Sequence, residues 1–242
     1  INRIRNMGLD LSAAKLVSGD DEDTLRVSGS IRVGENLHVT PASTSTRHKF
    51  GSLRLGVLST LDIGEDLIVG RNVRTNSVTT TDARGSLAFS TSDDQGTLVM
   101  TVGRDLLIGV GSGATGEILD APEDLRLTIA SETNRGTLQV GYKSLNNTGD
   151  SIGSFISTGG TLEAWLSSLS IGHSSSTNTG VVTGVFDFQS SVLSTLDIAG
   201  AAVVGKGLTA KGDLRLHAGN ARSQTLEVGV TTGTEERSLL RL

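Results

Sequence analysis

The sequence predicts an all-β fold, a single-stranded parallel β-helix (β-solenoid) of roughly seven coils with three short strands in each. Three observations carry this. Thr-Leu occurs seven times, at Thr24, Thr60, Thr97, Thr137, Thr161, Thr195 and Thr225 with the Leu that follows each, and every copy opens a short alternating apolar segment. The gaps of 36, 37, 40, 24, 34 and 30 residues average roughly 34, a period that points to stacked repeats first. Gly is frequent, 31 of 242 residues, and directly follows many of the segments.

Along the chain, apolar residues alternate at period two, as in Leu53-Arg54-Leu55, Leu61-Asp62-Ile63, Leu169-Ser170-Ile171, Leu196-Asp197-Ile198, Leu214-Arg215-Leu216 and Leu226-Glu227-Val228. Such segments read as short strands with one wet face. Gly64, Gly70, Gly109, Gly141, Gly172, Gly205 and Gly229 then supply corners, because a residue without Cβ turns sharply at little cost. Strand starts at Leu53, Leu61 and Leu67, or at Leu87, Leu98 and Leu106, lie about 6 to 11 residues apart, which gives three strands per period. Residues 57–63 and 192–198 are identical in sequence and 135 residues apart, four average periods. Longer connections are expected at 40–49, 72–82, 110–117, 144–152 and 173–180, where Ser, Thr, Gly and Asn gather. Residues 234–240 have the composition of one helical turn.

The repeat runs without a Pro-rich or charged linker, so residues 1–242 read as one elongated domain, with room for the chain to be an excerpt of a longer one. Seven coils at about 4.8 Å each would stack to roughly 34 Å. The interior would hold ladders of Leu, Ile and Val, each buried methylene contributing about 0.8 kcal/mol. No coil covers its own inner face, so each depends on its neighbours.

Composition excludes several functions. With no Cys, there is no disulfide, thiolate metal site or Cys nucleophile. The net charge is −5, with 21 Lys and Arg scattered among 26 acids, which argues against nucleic acid as a partner. No apolar stretch reaches the roughly 18 to 20 residues of a membrane-spanning helix.

Ser59-Thr60-Leu61-Asp62-Ile63-Gly64-Glu65-Asp66-Leu67-Ile68-Val69-Gly70, echoed more loosely over 194–205, resembles the repeats of secreted bacterial β-helix proteins. These include autotransporter passengers, adhesins and surface-layer components. The resemblance implies an extracellular structural or adhesive role and brings no shared catalytic residues.

Candidate chemistry is sparse. A polysaccharide lyase or hydrolase would need clustered acids and aromatic rings along a groove. The acids are Asp93-Asp94, the run Asp20-Asp21-Glu22-Asp23, Glu65-Asp66 and Glu123-Asp124, whereas Trp165 and Tyr142 are the only indole and phenol and the five Phe sit in apolar alternation as core. Asp20, Asp21 and Asp23 are the candidate ligands should Ca2+ bind, in a run that otherwise reads as a solvated turn. His38, His48, His173 and His217 form no metal-binding spacing, and no cofactor is expected. Gly109, Gly111, Gly113 and Gly116 read as corners, since no helix follows to complete a phosphate cradle. Asn146-Asn147-Thr148 fits a glycosylation acceptor.

Neither end of the sequence resembles a polar cap, so the expectation is either that the chain is part of a longer solenoid or that its open ends stack on other copies and build a filament. The sequence-level expectation is therefore a non-enzymatic, extracellular or cell-surface structural protein that self-associates into a fibre, sheath or surface layer. An adhesin or passenger displaying a binding surface is the alternative, a polysaccharide-active enzyme comes third, and the cell surface or a polysaccharide is the expected external contact.

Overall fold

The computed structural model describes residues 2–4, 7–11, 24–38, 49–56, 58–74, 82–89, 97–144, 148–175, 180–188, 194–216, 220–229 and 239–241. Along the chain these form β1 (Asn2–Ile4), β2 (Met7–Leu11), β3 (Thr24–Val27), β4 (Ile31–His38), β5 (Lys49–Leu55), β6 (Thr60–Ile63) and β7 (Leu67–Arg74). Next come β8 (Ala83–Phe89), β9 (Leu98–Val102), β10 (Leu106–Val110), β11 (Ala114–Leu119), β12 (Leu125–Ile129), β13 (Gly136–Lys143) and β14 (Ser151–Ser157). The last are β15 (Thr161–Ser174), β16 (Val182–Phe188), β17 (Ser194–Val204), β18 (Ala210–Leu216), β19 (Asn220–Val228) and β20 (Leu239–Arg241).

Two sheets account for all of these strands: one of 12 strands, and one of 8 running β2-β5-β8-β11-β14-β16-β18-β20. Every pairing is parallel. The fold is thus a parallel β-solenoid, as the Gly-punctuated alternation predicts. Between β5 and β18 the chain returns to the smaller sheet five times, and the stack amounts to about 5 turns, roughly 24 Å at the usual strand spacing.

Five turns are fewer than the seven counted from Thr-Leu, and two sheets are seen in place of three separate strand rows. The dipeptide does not count turns, because it does not hold one register. Thr24 faces Thr60, but Leu61 faces Met100, two residues beyond Leu98. Thr137 and Thr225 lie in the ladder of β10, β13 and the second half of β17, away from the strands that carry Thr24, Thr60 and Leu98. A two-residue slip keeps each side chain on its own face, so packing tolerates it. The identical heptapeptides illustrate the point. They are four ladder steps apart, yet the path from Leu61 through Met100, Leu127 and Leu162 reaches Ser194, two residues short of Leu196.

Inward residues form columns. Ile31, Leu67, Leu106, Leu138 and Leu169 stack in register on the larger sheet, and Leu53, Leu87, Ile118, Phe155, Phe186 and Leu214 on the smaller; all are buried. Phe155 packs edge-on against Phe186 and Phe188, with centroids 5.4 Å apart in each pair. Phe50 departs from the expected core role. Alternation from Leu53 and Gly51 turns it outward, where it is 44% exposed under the Arg84 guanidinium, 5.4 Å from the ring centroid.

Glycine does more than turn corners. Gly34, Gly70, Gly109, Gly141, Gly172 and Gly205 share the left-handed conformation at equivalent places in successive turns. Opposite them on the smaller sheet, Gly85, Gly116, Gly153, Gly184 and Gly212 form a second column in register. The two columns touch backbone to backbone: a Cβ on Gly109 would lie 1.8 Å from the Ile152 carbonyl oxygen, and one on Gly153 would lie 2.3 Å from that of Ile108. The sheets are therefore pinched together on successive turns from Gly34 to Gly212. On one side lies the main apolar core. On the other is a narrow second interior, lined by Ala83, Ala114, Ser151, Val182 and Ala210 on the smaller sheet and by Asn36, Asn72, Lys143 and Ser174 on the larger, all buried.

Several connections are shorter than expected. Of 110–117 only Gly111, Ser112 and Gly113 lie between strands, because Thr115 and Gly116 are strand residues and Gly116 is a pinch position. The stretches 72–82, 144–152 and 173–180 are likewise entered by β7, β14 and β15, and Lys49 of 40–49 begins β5. Leu239 and Leu240 pair with β18 rather than close a helical turn. At a corner, buried Asp66 accepts two 2.8 Å bonds from Arg104 one turn on, and the Asp105 carboxylate accepts a 2.8 Å bond from the Thr137 N–H. Among the described residues no helix is long and apolar enough to cross a membrane.

Candidate functional site

A left-handed glycine bends β4, β7, β10, β13 and β15 of the larger sheet, so outward side chains before and after the bend lean toward each other. Ile68, Leu107 and Val110, which would otherwise be wet, are buried in a cluster separate from the core, with Tyr142 packed against it. This outer elbow is built by strand register. Arg71 faces Val110, Val110 faces Tyr142, and Tyr142 faces His173 on consecutive turns. Lys206, two residues beyond Val204, continues the line, since Val204 pairs with Ile171. Arg71, Tyr142, His173 and Lys206 are all half-buried.

The Tyr142 and His173 rings lie 5.3 Å apart at 60°. The Ser170 hydroxyl is 3.4 Å from His173 Nδ1. Arg71 pairs with Glu35 at 3.4 Å, Arg32 with Glu35 at 3.1 Å, and Lys206 with Glu227 at 2.6 Å. Burial and the nearby Lys206 lower the His173 pKa against a smaller opposing pull from Glu227, so the ring is neutral at pH 7. Ser170 and His173 do not form a nucleophile pair: Ser170 is buried, and no described hydrogen bond joins a carboxylate to the imidazole to orient it.

The second interior holds an unusual group. Lys143 is 0% exposed, and its Nζ has no hydrogen-bond partner among the described residues. Burial lowers its pKa, with Asp150 pulling the other way. Asp150 is itself engaged, its Oδ1 accepting a 2.9 Å bond from the Val181 N–H. Because the folded pKa lies below the unfolded 10.5, the unfolded chain binds the extra proton between the two values, and stability rises with pH across that window. Lys143→Met is expected to raise stability at neutral pH by about 1–3 kcal/mol, the cost of a buried unsatisfied group, and to abolish that rise. Urea titrations of both proteins from pH 7 to 10.5 check it.

Other expected positions are dispersed. Asp20, Asp21 and Asp23, the pair Asp93-Asp94, His48, His217 and Asn146 lie outside the described residues. Asp66 is committed to Arg104; burial pushes its carboxyl up, but the Arg104 bonds and charge, the Asp105 backbone N–H and the Arg32 charge together hold it below its ordinary value. Glu65, Glu123 and Asp124 are exposed at corners. Among the described residues no group of three or more His, Cys, Asp or Glu is placed to hold a metal. The sequence reading missed the elbow because its residues are 30 to 40 positions apart, and only the ladder register brings them together. A signal existed in the sequence: Val110, Tyr142 and His173 each immediately follow a corner glycine, Gly109, Gly141 and Gly172.

Comparison of the chain with protein-family models, with characterised proteins and with solved structures returned no match.

Proposed function

We propose that the chain is a non-enzymatic structural element, a stiff β-solenoid segment of an extracellular fibre, sheath or surface layer. The observation that carries this is the paired glycine column. It holds the sheets backbone to backbone on successive turns from Gly34 to Gly212, so bending the rod would have to break main-chain packing and the parallel ladder together. The coil is three-sided in this reading. Each strand from β1 to β12 pairs with the one three places along, and β15, β17 and β19 each run through two sides of the larger sheet. Stacked in-register strands also suit self-association, since the same spacing extends from one copy to the next.

Negative-stain electron microscopy of the purified chain tests the reading. Straight rods or fibres of uniform width are expected; globular or collapsed particles would overturn it. The half-exposed Tyr142–His173 pair favours a second reading, an adhesin-like passenger whose rod displays a binding strip.

A further inference from the structure

We propose that the strip Arg71, Val110, Tyr142, His173 and Lys206 on the outer elbow is a docking surface for a neutral polysaccharide chain lying along the stacking axis. The inference goes beyond the structural role and does not depend on it, since a rod with or without this strip is equally stiff.

The glycine bend brings the residues before and after it together over a dry floor of Ile68 and Leu107. Two half-exposed rings stand on adjacent turns, Tyr142 packed on that floor and His173 beside it at a 60° tilt, each offering a ring face to the C–H side of a sugar ring. Adjacent turns rise by about 4.8 Å, close to the length of one hexose unit in an extended chain. Gln139, half-buried on the strand that carries Tyr142, adds an amide group to this face, while the buried Ser170 hydroxyl lies against His173 Nδ1.

Charge decides the class of ligand. Each cation on the strip already faces a carboxylate: Glu35, shared with Arg32, for Arg71, and Glu227 for Lys206. The His173 ring is neutral at pH 7. An acidic polymer would meet no unpaired positive charge and a basic one no unpaired negative charge, whereas ion pairs supply both donors and acceptors to neutral hydroxyls.

The experiment is an amide NMR titration of the full chain with gluco-, manno- and galacto-hexaoses, and with hexagalacturonate as the acidic comparison. At least one neutral hexaose is expected to shift Val110, Tyr142 and His173 in a saturable way, at least tenfold more tightly than hexagalacturonate. Tyr142→Ala is expected to weaken this at least tenfold, and Ile156→Ser, exposed on the smaller sheet, to leave it unchanged. If Tyr142→Ala loses the native spectrum, Tyr142→Leu replaces it, keeping an apolar contact with the floor but no flat ring. The proposal is overturned by silence with all three neutral hexaoses, by binding indifferent to the Tyr142 change, or by tighter binding of the acidic chain. Straight rods in the micrographs alongside any of these results would leave the structural reading standing.

Discussion

Gly109→Ala should unfold the middle of the stack. Two costs coincide at this position. The residue sits at φ 63°, where an alanine is disfavoured by roughly 1–2 kcal/mol. Its Cβ would also lie 1.8 Å from the Ile152 carbonyl oxygen and 2.3 Å from the carbonyl carbon, main-chain atoms that no rotamer change can move aside. Relief requires separating the two sheets where they are pinched, which opens the core on one side and the polar interior on the other. We expect a loss of more than about 4 kcal/mol, a large share of a normal folding free energy. Because each turn rests on its neighbours, the urea transition should broaden or split as the two ends come apart.

Two further substitutions separate the causes. Gly153 is not in the left-handed region, yet its Cβ would meet the Ile108 oxygen at 2.3 Å, so Gly153→Ala isolates the close approach. Gly29→Ala is the control, since its Cβ would meet only Glu65 Oε2 at 4.0 Å, and it should change stability by less than about 0.5 kcal/mol. A Gly109→Ala protein as stable as the Gly29→Ala one would refute the pinch.

Phe155→Ala is expected to cost about 3–5 kcal/mol, the range for truncating a buried phenylalanine. The ring is fully buried against Phe186 and Phe188 of the next turn, and its contacts with both are edge-on, so truncation removes two aromatic contacts as well as apolar area. Collapse cannot fill the space, because the strand spacing is fixed by ladder hydrogen bonds on either side. Phe155→Leu keeps most of the volume and should retain more than half the lost stability; its column already holds Leu87 and Ile118 below it. Chemical denaturation followed by circular dichroism measures both.

The columns of the core were legible in the sequence because burial has period two on a strand. Leu53-Arg54-Leu55 and Leu214-Arg215-Leu216 each place two residues inside whatever lies above or below them. The corner glycines were legible too, since each directly follows an inward Val or Ile. Phe50 was misread because alternation fixes which residues share a face but not which face is wet when a strand begins with Lys-Phe-Gly. The second glycine column was hidden for a related reason. Gly85, Gly116 and Gly153 sit within strands, where the sequence shows only a missing side chain and not the main chain that fills its place.

The amino-acid sequence by itself determined that this chain is a Gly-punctuated stack of short strands with a Leu, Ile and Val interior, because local alternation and corner residues act within a few positions. Only the tertiary structure decided the register. A two-residue slip costs nothing locally, so which residues meet one turn away depends on the close packing of the sheets. That register sets the turn count, the pinch between the glycine columns, the isolation of Lys143, and the meeting of Tyr142 with His173 across 31 residues of chain.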